Sequence, residues 1–361
     1  MWRHEQATEG VMLTLHEIRS GHEAEWDKVV LTSPRGLLFH LTDWLTIVAK
    51  SQRLDLLRLG IYEGDDLVGI FPLFVKRLGL LKVAASPFVV EDTHYLGPVV
   101  ADESLTEVMR LFAVYMQAQR INYARIIFHH DFARESFASV GYECVDNLSH
   151  VVDLRHDQDT LWKRVKPPCQ RQIRKAARAG VTTEIVRDDR YFESYYHLVL
   201  NLYAQQKRTP PSPAEFFRAI WARFGTKGDL VWVVAKHEAT LAAGALLALW
   251  RGSVFYLDGA SDKSKVGLGV NNALHWAAIR WAKSEGYSFY DFTGSNVPRF
   301  FQFKSSFGGD LNRYLTLELA RPGYIRMARR HYASYKSFVQ RVKHLRQGIR
   351  HGQFWTGTGA A

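Results

Sequence analysis

One stretch, Leu257 to Tyr314, restricts the fold more than any other part of the chain. An extended apolar segment ends at Asp258, and a polar loop bearing Gly267 and Gly269 follows. Ala273, Trp276, Ala277, Ile279, Arg280 and Trp281 then recur at helical spacing, which predicts a helix from Val270 or Asn271 to a stop at Gly286. A short strand is expected over Tyr287–Phe292. In this order the backbone N–H groups of the loop and of the first helical turn converge on one spot, which suits a phosphate or pyrophosphate. A loop with two glycines is also what a plain turn looks like, so the spacing alone leaves both readings open.

A second constraint is internal repetition. The run D-L-L-R-L-G-I-Y-E-G-D-D-L-V-G-I-F-P-L from Asp55 parallels D-L-V-W-V-V-A-K-H-E-A-T-L-A-A-G-A-L-L from Asp229. Each is a strand, a polar turn and a strand carrying one glycine, and a helix and a strand follow each hairpin. Elsewhere the pattern predicts strands at Val11–Ile18, Tyr123–Phe128, Tyr142–Cys144, His150–Leu154 and Thr182–Val186, with a loop over Gly79–Phe88. Helices are expected at Glu23–Leu31, Phe39–Ser51, Leu105–Gln119, Arg134–Val140, Leu161–Val165, Arg171–Ala179, Asp188–Gln206 and Ser212–Phe224. Asp157–Thr160 offers a cap for one of these, and Pro167–Pro168 breaks it. Lys304–Leu319 closes the second unit, with a strand at its end.

At 361 residues and 47% hydrophobic, the chain can bury a large core. Its net charge of +11 predicts anionic partners. Two cysteines, Cys144 and Cys169, make neither a disulfide scaffold nor a zinc site. Adjacent His129 and His130 on a strand face opposite ways, so no metal is expected there. Glu5, Glu9 and Glu17 stand where a signal peptide would be apolar, and no run reaches the roughly 20 apolar residues of a spanning helix. The expectation is a cytoplasmic protein. Residues 321–351 contain no Asp or Glu, and Ile325, Ala328, Tyr332, Tyr335, Val339, Val342, Leu345 and Ile349 form one stripe. This basic helix either docks on the body or touches an anionic membrane at the inner face. No DNA partner is expected.

Several runs together carry a resemblance: Y-L-D-G-A-S, N-N-A-L-H-W-A-A-I-R-W-A-K-S-E-G-Y, Y-D-F-T-G-S-N, F-Q-F-K-S-S-F-G-G and, upstream, R-Q-I-R-K-A-A-R-A-G-V. They span most of residues 160–315 and resemble the Fem peptidyltransferase family of the GNAT-like acyltransferase superfamily. The broader set of bacterial acyltransferases with the same doubled architecture is the better fit, because a coiled-coil insert has no room here. The resemblance implies an α/β (α+β) fold of tandem GNAT-like acyl-CoA N-acyltransferase domains, each a mixed sheet flanked by helices. The units would be 11–155, 156–320 with the active site, and a basic C-terminal helix and tail at 321–361. It also implies an N-acyltransferase that moves an acyl or aminoacyl group to an amine of a phosphorylated cell-envelope precursor, related to peptidoglycan or exopolysaccharide. The donor is acyl-CoA, such as acetyl-CoA, or aminoacyl-tRNA, with no tightly bound cofactor. A non-catalytic binder of polyanions or membrane surface is the alternative.

Acyl transfer to an amine needs a held donor, a deprotonated amine and a stabilised oxyanion. Lys304, flanked by Phe303 and Phe307, can place a fixed positive charge in a partly dry site, and the resemblance ties both Lys304 and Phe303 to donor handling and catalysis. Asp291, half-buried at a strand end, is either a base or a cap for the next loop. Gly267, Gly269, Asn271 and Ser261 are the donor-side candidates. Arg171 and Arg174 share a helix face and can grip an acceptor phosphate, or form a solvated basic face. Lys207 and Arg208 resemble the family's acceptor-phosphate contact, and Ser295 and Asn296 offer donors in the same turn as Asp291. No G-x-S-x-G elbow occurs and neither cysteine has a neighbouring histidine, so direct attack by the amine is the default.

Overall fold

Leu230–His237 and Thr240–Trp250 are apolar at nearly every position, the mark of strands covered on both faces, and they lie inside a 12-stranded sheet. The computed structural model describes residues 12–19, 21–91 and 93–321. The strands are β1 (Leu13–Glu17), β2 (Asp55–Glu63), β3 (Asp66–Leu78), β4 (Leu81–Ser86), β5 (Tyr123–Ile127), β6 (Glu143–Asp153), β7 (Thr182–Val186), β8 (Leu230–His237), β9 (Thr240–Trp250), β10 (Ser253–Ser261), β11 (Phe289–Gly294) and β12 (Asp310–Ala320). The helices are α1 (Glu23–Thr32), α2 (Thr42–Gln52), α3 (Asp102–Ala118), α4 (Arg134–Ser139), α5 (Gln158–Arg164), α6 (Pro167–Arg178), α7 (Phe192–Gln205), α8 (Ala214–Ile220), α9 (Val270–Ser284) and α10 (Pro298–Ser305).

The sheet order is β1-β2-β3-β4-β5-β12-β6-β11-β10-β9-β8-β7. Two runs of elements follow one sequence. From β1 it is β-α-α-β-β-β-α-β-α-β, and from β7 it is the same. In each run the fourth strand leads through a helix to a parallel neighbour: β4 to β5, and β10 to β11. The last strands are exchanged between the runs. β12 pairs with β5, and β6 pairs with β11, while β6 and β12 pair with each other. Neither half-sheet is continuous without the other's final strand.

Side chains divide into three apolar clusters. One lies under α3 in the first half, around Phe71, Phe112 and Leu317. Another lies under α9 in the second, around Leu247, Ile279 and Phe292. The third draws on both halves, joining Trp26, Trp44 and Tyr95 to Tyr195, Phe216 and Trp232. Trp44 meets Phe216 edge-on at 6.1 Å, and Phe39 meets Phe255 at 5.9 Å. Each such pair is worth about 0.5–1.5 kcal/mol beyond area burial, so this cluster binds the halves together.

Several expectations need correction. Leu81–Ser86 is strand β4 and not a loop; its parallel partner β5 supplies pairing that local pattern does not reveal. The segments near 142–144 and 150–154 are one strand, β6. Pro167 and Pro168 begin α6 at its first turn, where a missing N–H costs nothing, and so do more than end α5. Asp157 does cap α5, accepting from the Thr160 N–H at 2.8 Å. α7 starts at Phe192, after a turn, and not at Asp188. α8 starts at Ala214, and Trp221–Gly225 continues it as a π-helical turn. Lys304 sits in the last turn of α10. The basic helix expected at 321–361 lies outside the described residues from 322 onward.

Candidate active site

The strand pair β10 and β11 opens into a wedge. The two are parallel neighbours only from Ser253 to Phe255, opposite Phe289 to Asp291. Beyond that point β10 carries an irregularity between Tyr256 and Asp258, and β11 one between Asp291 and Gly294. Such bulges bend a strand and end its pairing. Side chains take over from the lost ladder. Thr293 Oγ1 donates to the Tyr256 carbonyl at 3.1 Å. His94, from the first half, bonds the Leu257 carbonyl through Nε2 at 2.9 Å.

Lys304 fills the wedge. Its Nζ donates to the carbonyls of Phe292 and Gly294, each at 2.6 Å, and lies 5.6 Å from the Tyr256 ring centre. Only 7% of the residue is exposed, and burial lowers its pKa to about 8. The expected charge in a dry place is therefore present, tied to backbone oxygens. Phe303 packs edge-on against Phe307 at 5.3 Å and against His275 at 5.6 Å, in an aromatic group behind the lysine.

Asp291 explains how those carbonyls come to face one ammonium. Its Oδ1 accepts the Thr293 N–H at 2.7 Å, and Thr293 holds a φ of 57°, the left-handed region that a β-branched residue rarely enters. This turn swings the carbonyls of residues 292–294 toward Lys304. The other oxygen, Oδ2, accepts from the Tyr95 hydroxyl at 3.1 Å and lies 3.5 Å from His129 Nε2. The residue is buried at 2% exposure and not half-buried as expected. His129 thus faces a carboxylate, and with His40 and His130 it lines a small cavity in the first half.

The donor-side candidates come together. Val266–Leu268 forms one 3₁₀ turn, and Gly269, at φ 83°, precedes α9. A Cβ on Gly269 would stand 2.4 Å from the Gln172 carbonyl oxygen of α6, whereas Gly267 has nothing within 4 Å. Asn271 donates to Ser261 Oγ at 3.2 Å, pinning the first turn of α9 to the end of β10. The first N–H groups of a 15-residue helix lack helical partners, so this end suits an anion. The two glycines differ: Gly269 answers to backbone packing, and Gly267 leaves open space.

The acceptor-side candidates scatter. α6 packs on α9, and its Lys175 donates to the Gly267 carbonyl at 2.7 Å, so the helix that bears Arg171 and Arg174 lies beside the glycine loop. Arg174 lies over the Trp162 ring at 5.3 Å. Ser295 is buried, with Oγ against the Thr293 carbonyl at 3.3 Å and His150 Nδ1 at 3.2 Å. Asn296 accepts the Leu148 N–H at 2.8 Å and donates to Asn147 at 2.6 Å. Both join the end of β11 to β6 and are engaged there. Lys207 and Arg208 follow the C-terminal end of α7, exposed, with Arg208 over the Tyr203 ring at 5.8 Å.

Asp258 was missing from the sequence-based set. It stands at the bulge of β10, partly exposed, and accepts from the Tyr195 hydroxyl at 2.6 Å. Burial raises its pKa to about 6, against the stabilising bond from Tyr195. Its only sequence signal was an acidic residue ending an apolar strand just before the glycine loop.

The matching region of the first half is closed. There the chain itself, residues 94–99, lies beside β5 and β3: Leu96 N–H donates to Ile127, and Val99 and Ile70 exchange both bonds. The same segment sends His94 and Tyr95 into the second half.

Residues 164–305 match the Acetyltransferase (GNAT) domain family. No curated protein matches the sequence. Among solved structures, FemX is similar at 14% identity and a TM-score of 0.61, over 84% of this chain and 96% of that one. The C-terminal domain of a putative lysylphosphatidylglycerol synthetase from Agrobacterium fabrum gives 13% and 0.56, over 82% and 92%. L-PGS from Bacillus licheniformis gives 13% and 0.54, over 81% and 90%. These likenesses concern the fold, and the domain match falls on the half that holds the wedge, Lys304 and the glycine loop. Residues 164–305 thus carry the match to a GNAT acetyltransferase domain, within a chain whose fold is similar to that of FemX.

Proposed function

We propose that the second half transfers an acyl or aminoacyl group onto an amine of a phosphorylated envelope precursor, while the first half, closed at its own wedge, shapes the acceptor side. The units expected at 11–155 and 156–320 then divide the work. The donor's anionic part rests on the start of α9 and the Gly267 turn, with Arg171, Arg174 and Lys175 beside it. Its carbonyl enters the wedge. The amine attacks that carbonyl, a C–N bond forms, and the C–S or C–O bond to the donor breaks. The departing amine proton goes to the Asp258 carboxylate, whose pKa of about 6 suits a base at neutral pH. The Lys304 ammonium stabilises the negative charge that grows on the carbonyl oxygen or on the leaving group. Asp291 positions Lys304 through the Thr293 turn.

The observation that carries this reading is the wedge itself: a buried ammonium and a carboxylate of raised pKa at the ends of two parting parallel strands. The similar structures include FemX and a putative lysylphosphatidylglycerol synthetase, which favours an aminoacyl group; GNAT domains use acyl-CoA, which favours a thioester donor. A thermal-shift screen with acetyl-CoA, longer acyl-CoAs, charged tRNA and a UDP-linked muropeptide separates them. Stabilisation by one donor class, followed by mass detection of acylated amine, is the expected result. Binding of every polyanion alike, abolished by moderate salt and without a saturable donor, would replace the enzyme with a basic scaffold.

A further inference from the structure

The hairpin of β3 and β4 carries a feature that acyl transfer does not use. Pairing of β3 with β2 ends at Val75, and pairing of β4 with β5 begins at Val83. Residues 76–81 therefore have no ladder partner outside the hairpin and project beyond both neighbouring strands. The turn is Gly79–Leu80, with Gly79 at φ 61°, the place where a tight hairpin wants glycine. Its second position, which ordinarily takes a polar residue, is Leu80, and that side chain is 100% exposed. Leu78, one residue before the turn, is 51% exposed. Leu80 buries nothing against the described residues and Leu78 leaves about half of itself open, so packing of the described residues does not account for this tip.

The stem is basic. Lys76, Arg77 and Lys82 flank the leucines, and Arg77 stands directly across from Lys82. Like charges in that relation repel. Lys82 Nζ bonds only a carbonyl, that of Gln119, at 3.3 Å, and none of the three cations joins an ion pair among the described residues. Arg120 follows at the end of α3. The backbone of Arg321 bonds Asn122, whose side chain holds the Lys82 N–H at 2.8 Å. The chain thus leaves the described region beside this hairpin, and from Arg321 to His351 it has no acidic residue.

We propose that this end of the molecule docks on an anionic lipid bilayer, with Leu78 and Leu80 entering the acyl boundary and Lys76, Arg77 and Lys82 meeting headgroups. The combination of protruding aliphatic side chains and cations fits a surface that is anionic outside and apolar within. A nucleic acid would meet the cations but offers no place for two leucines.

The test uses the full chain and vesicles of phosphatidylcholine with or without phosphatidylglycerol. The wild type is expected to sediment with the anionic vesicles only. L78S/L80S should lower the partition coefficient at least tenfold, with unchanged melting temperature and donor binding. K76Q/R77Q/K82Q should lower it on the order of a hundredfold, at about fivefold per charge. Because the tail adds its own charge, L80W supplies a local readout: its emission should shift to the blue on anionic vesicles and be quenched by brominated lipid. A wild type that stays in the supernatant, an L80W spectrum indifferent to vesicles, or an L78S/L80S protein that partitions like the wild type would each overturn the proposal. So would tRNA binding that needs the three cations while vesicles do not bind.

Discussion

Gly267 and Gly269 sit two residues apart and are predicted to fail in opposite ways. Alanine at 269 must hold a φ near 83° and place its Cβ 2.4 Å from the Gln172 carbonyl oxygen, a backbone atom that cannot rotate away. The left-handed conformation costs about 1–2 kcal/mol, and forcing α6 from α9 adds about as much again. A total on the order of 3 kcal/mol corresponds to a fall in Tm of roughly 4 °C for a chain of 361 residues. Alanine at 267 meets nothing within 4 Å and needs no unusual φ, so its stability should stay within about 0.5 kcal/mol. Its methyl group would instead stand in the space where the donor's charged end is placed, and a tenfold or larger loss of donor affinity is expected, about 1.4 kcal/mol. Differential scanning calorimetry and titration calorimetry with the donor read the two quantities separately. G267A that binds donor as tightly as wild type would refute the placement of the donor on this loop. G269A that melts within a degree of wild type would refute the packing argument.

Three further outcomes follow from the wedge. K304M should lower kcat by about 10²–10³ with little change in KM, and turnover of the wild type should fall as pH rises through about 8, where the ammonium is lost. D258N should lower kcat by about 10²–10⁴ and remove the acid limb near pH 6, below which the carboxylate is protonated and cannot serve as base. The same substitution should stabilise the fold at pH 7.5. The native pKa of about 6 lies above the ordinary 3.8, so the native state is favoured by protonation and loses stability as pH rises from 4 to 6. The upper bound is about 3 kcal/mol, and partial exposure reduces it to about 1–2; the gain should vanish below pH 4 in denaturant titrations. Y95F removes a donor from the buried Asp291 carboxylate and should cost about 1–3 kcal/mol in urea unfolding, although Tyr95 belongs to the other half.

What the sequence made legible was local. The helix from Val270 to the stop before Gly286, the Asp157 cap and both hairpins follow from periodicity and turn chemistry, and so does the aromatic setting of Lys304. What it hid was long-range. β4 reads as a loop because its pairing comes from β5, some 40 residues on. Ser295 and Asn296 look like free donors until β6 appears beside them. Asp258 looks like the last residue of a strand, and its raised pKa comes from burial that outweighs the Tyr195 hydrogen bond and that no local pattern carries. Asp291, read as base or cap, closes the Thr293 turn and takes the Tyr95 hydroxyl, contacts that only the fold brings to it.

The placement of β12 between β5 and β6 bears on synthesis. A nascent chain that has released everything up to residue 300 still has a slot in the sheet of its first half, flanked by two strands with open ladder edges. That slot closes only when residues 310–320 clear the ribosome, so the N-terminal half must wait for nearly the whole described chain before its hydrogen bonds are complete. A stop codon before residue 310 would leave β5 and β6 without the strand that joins them.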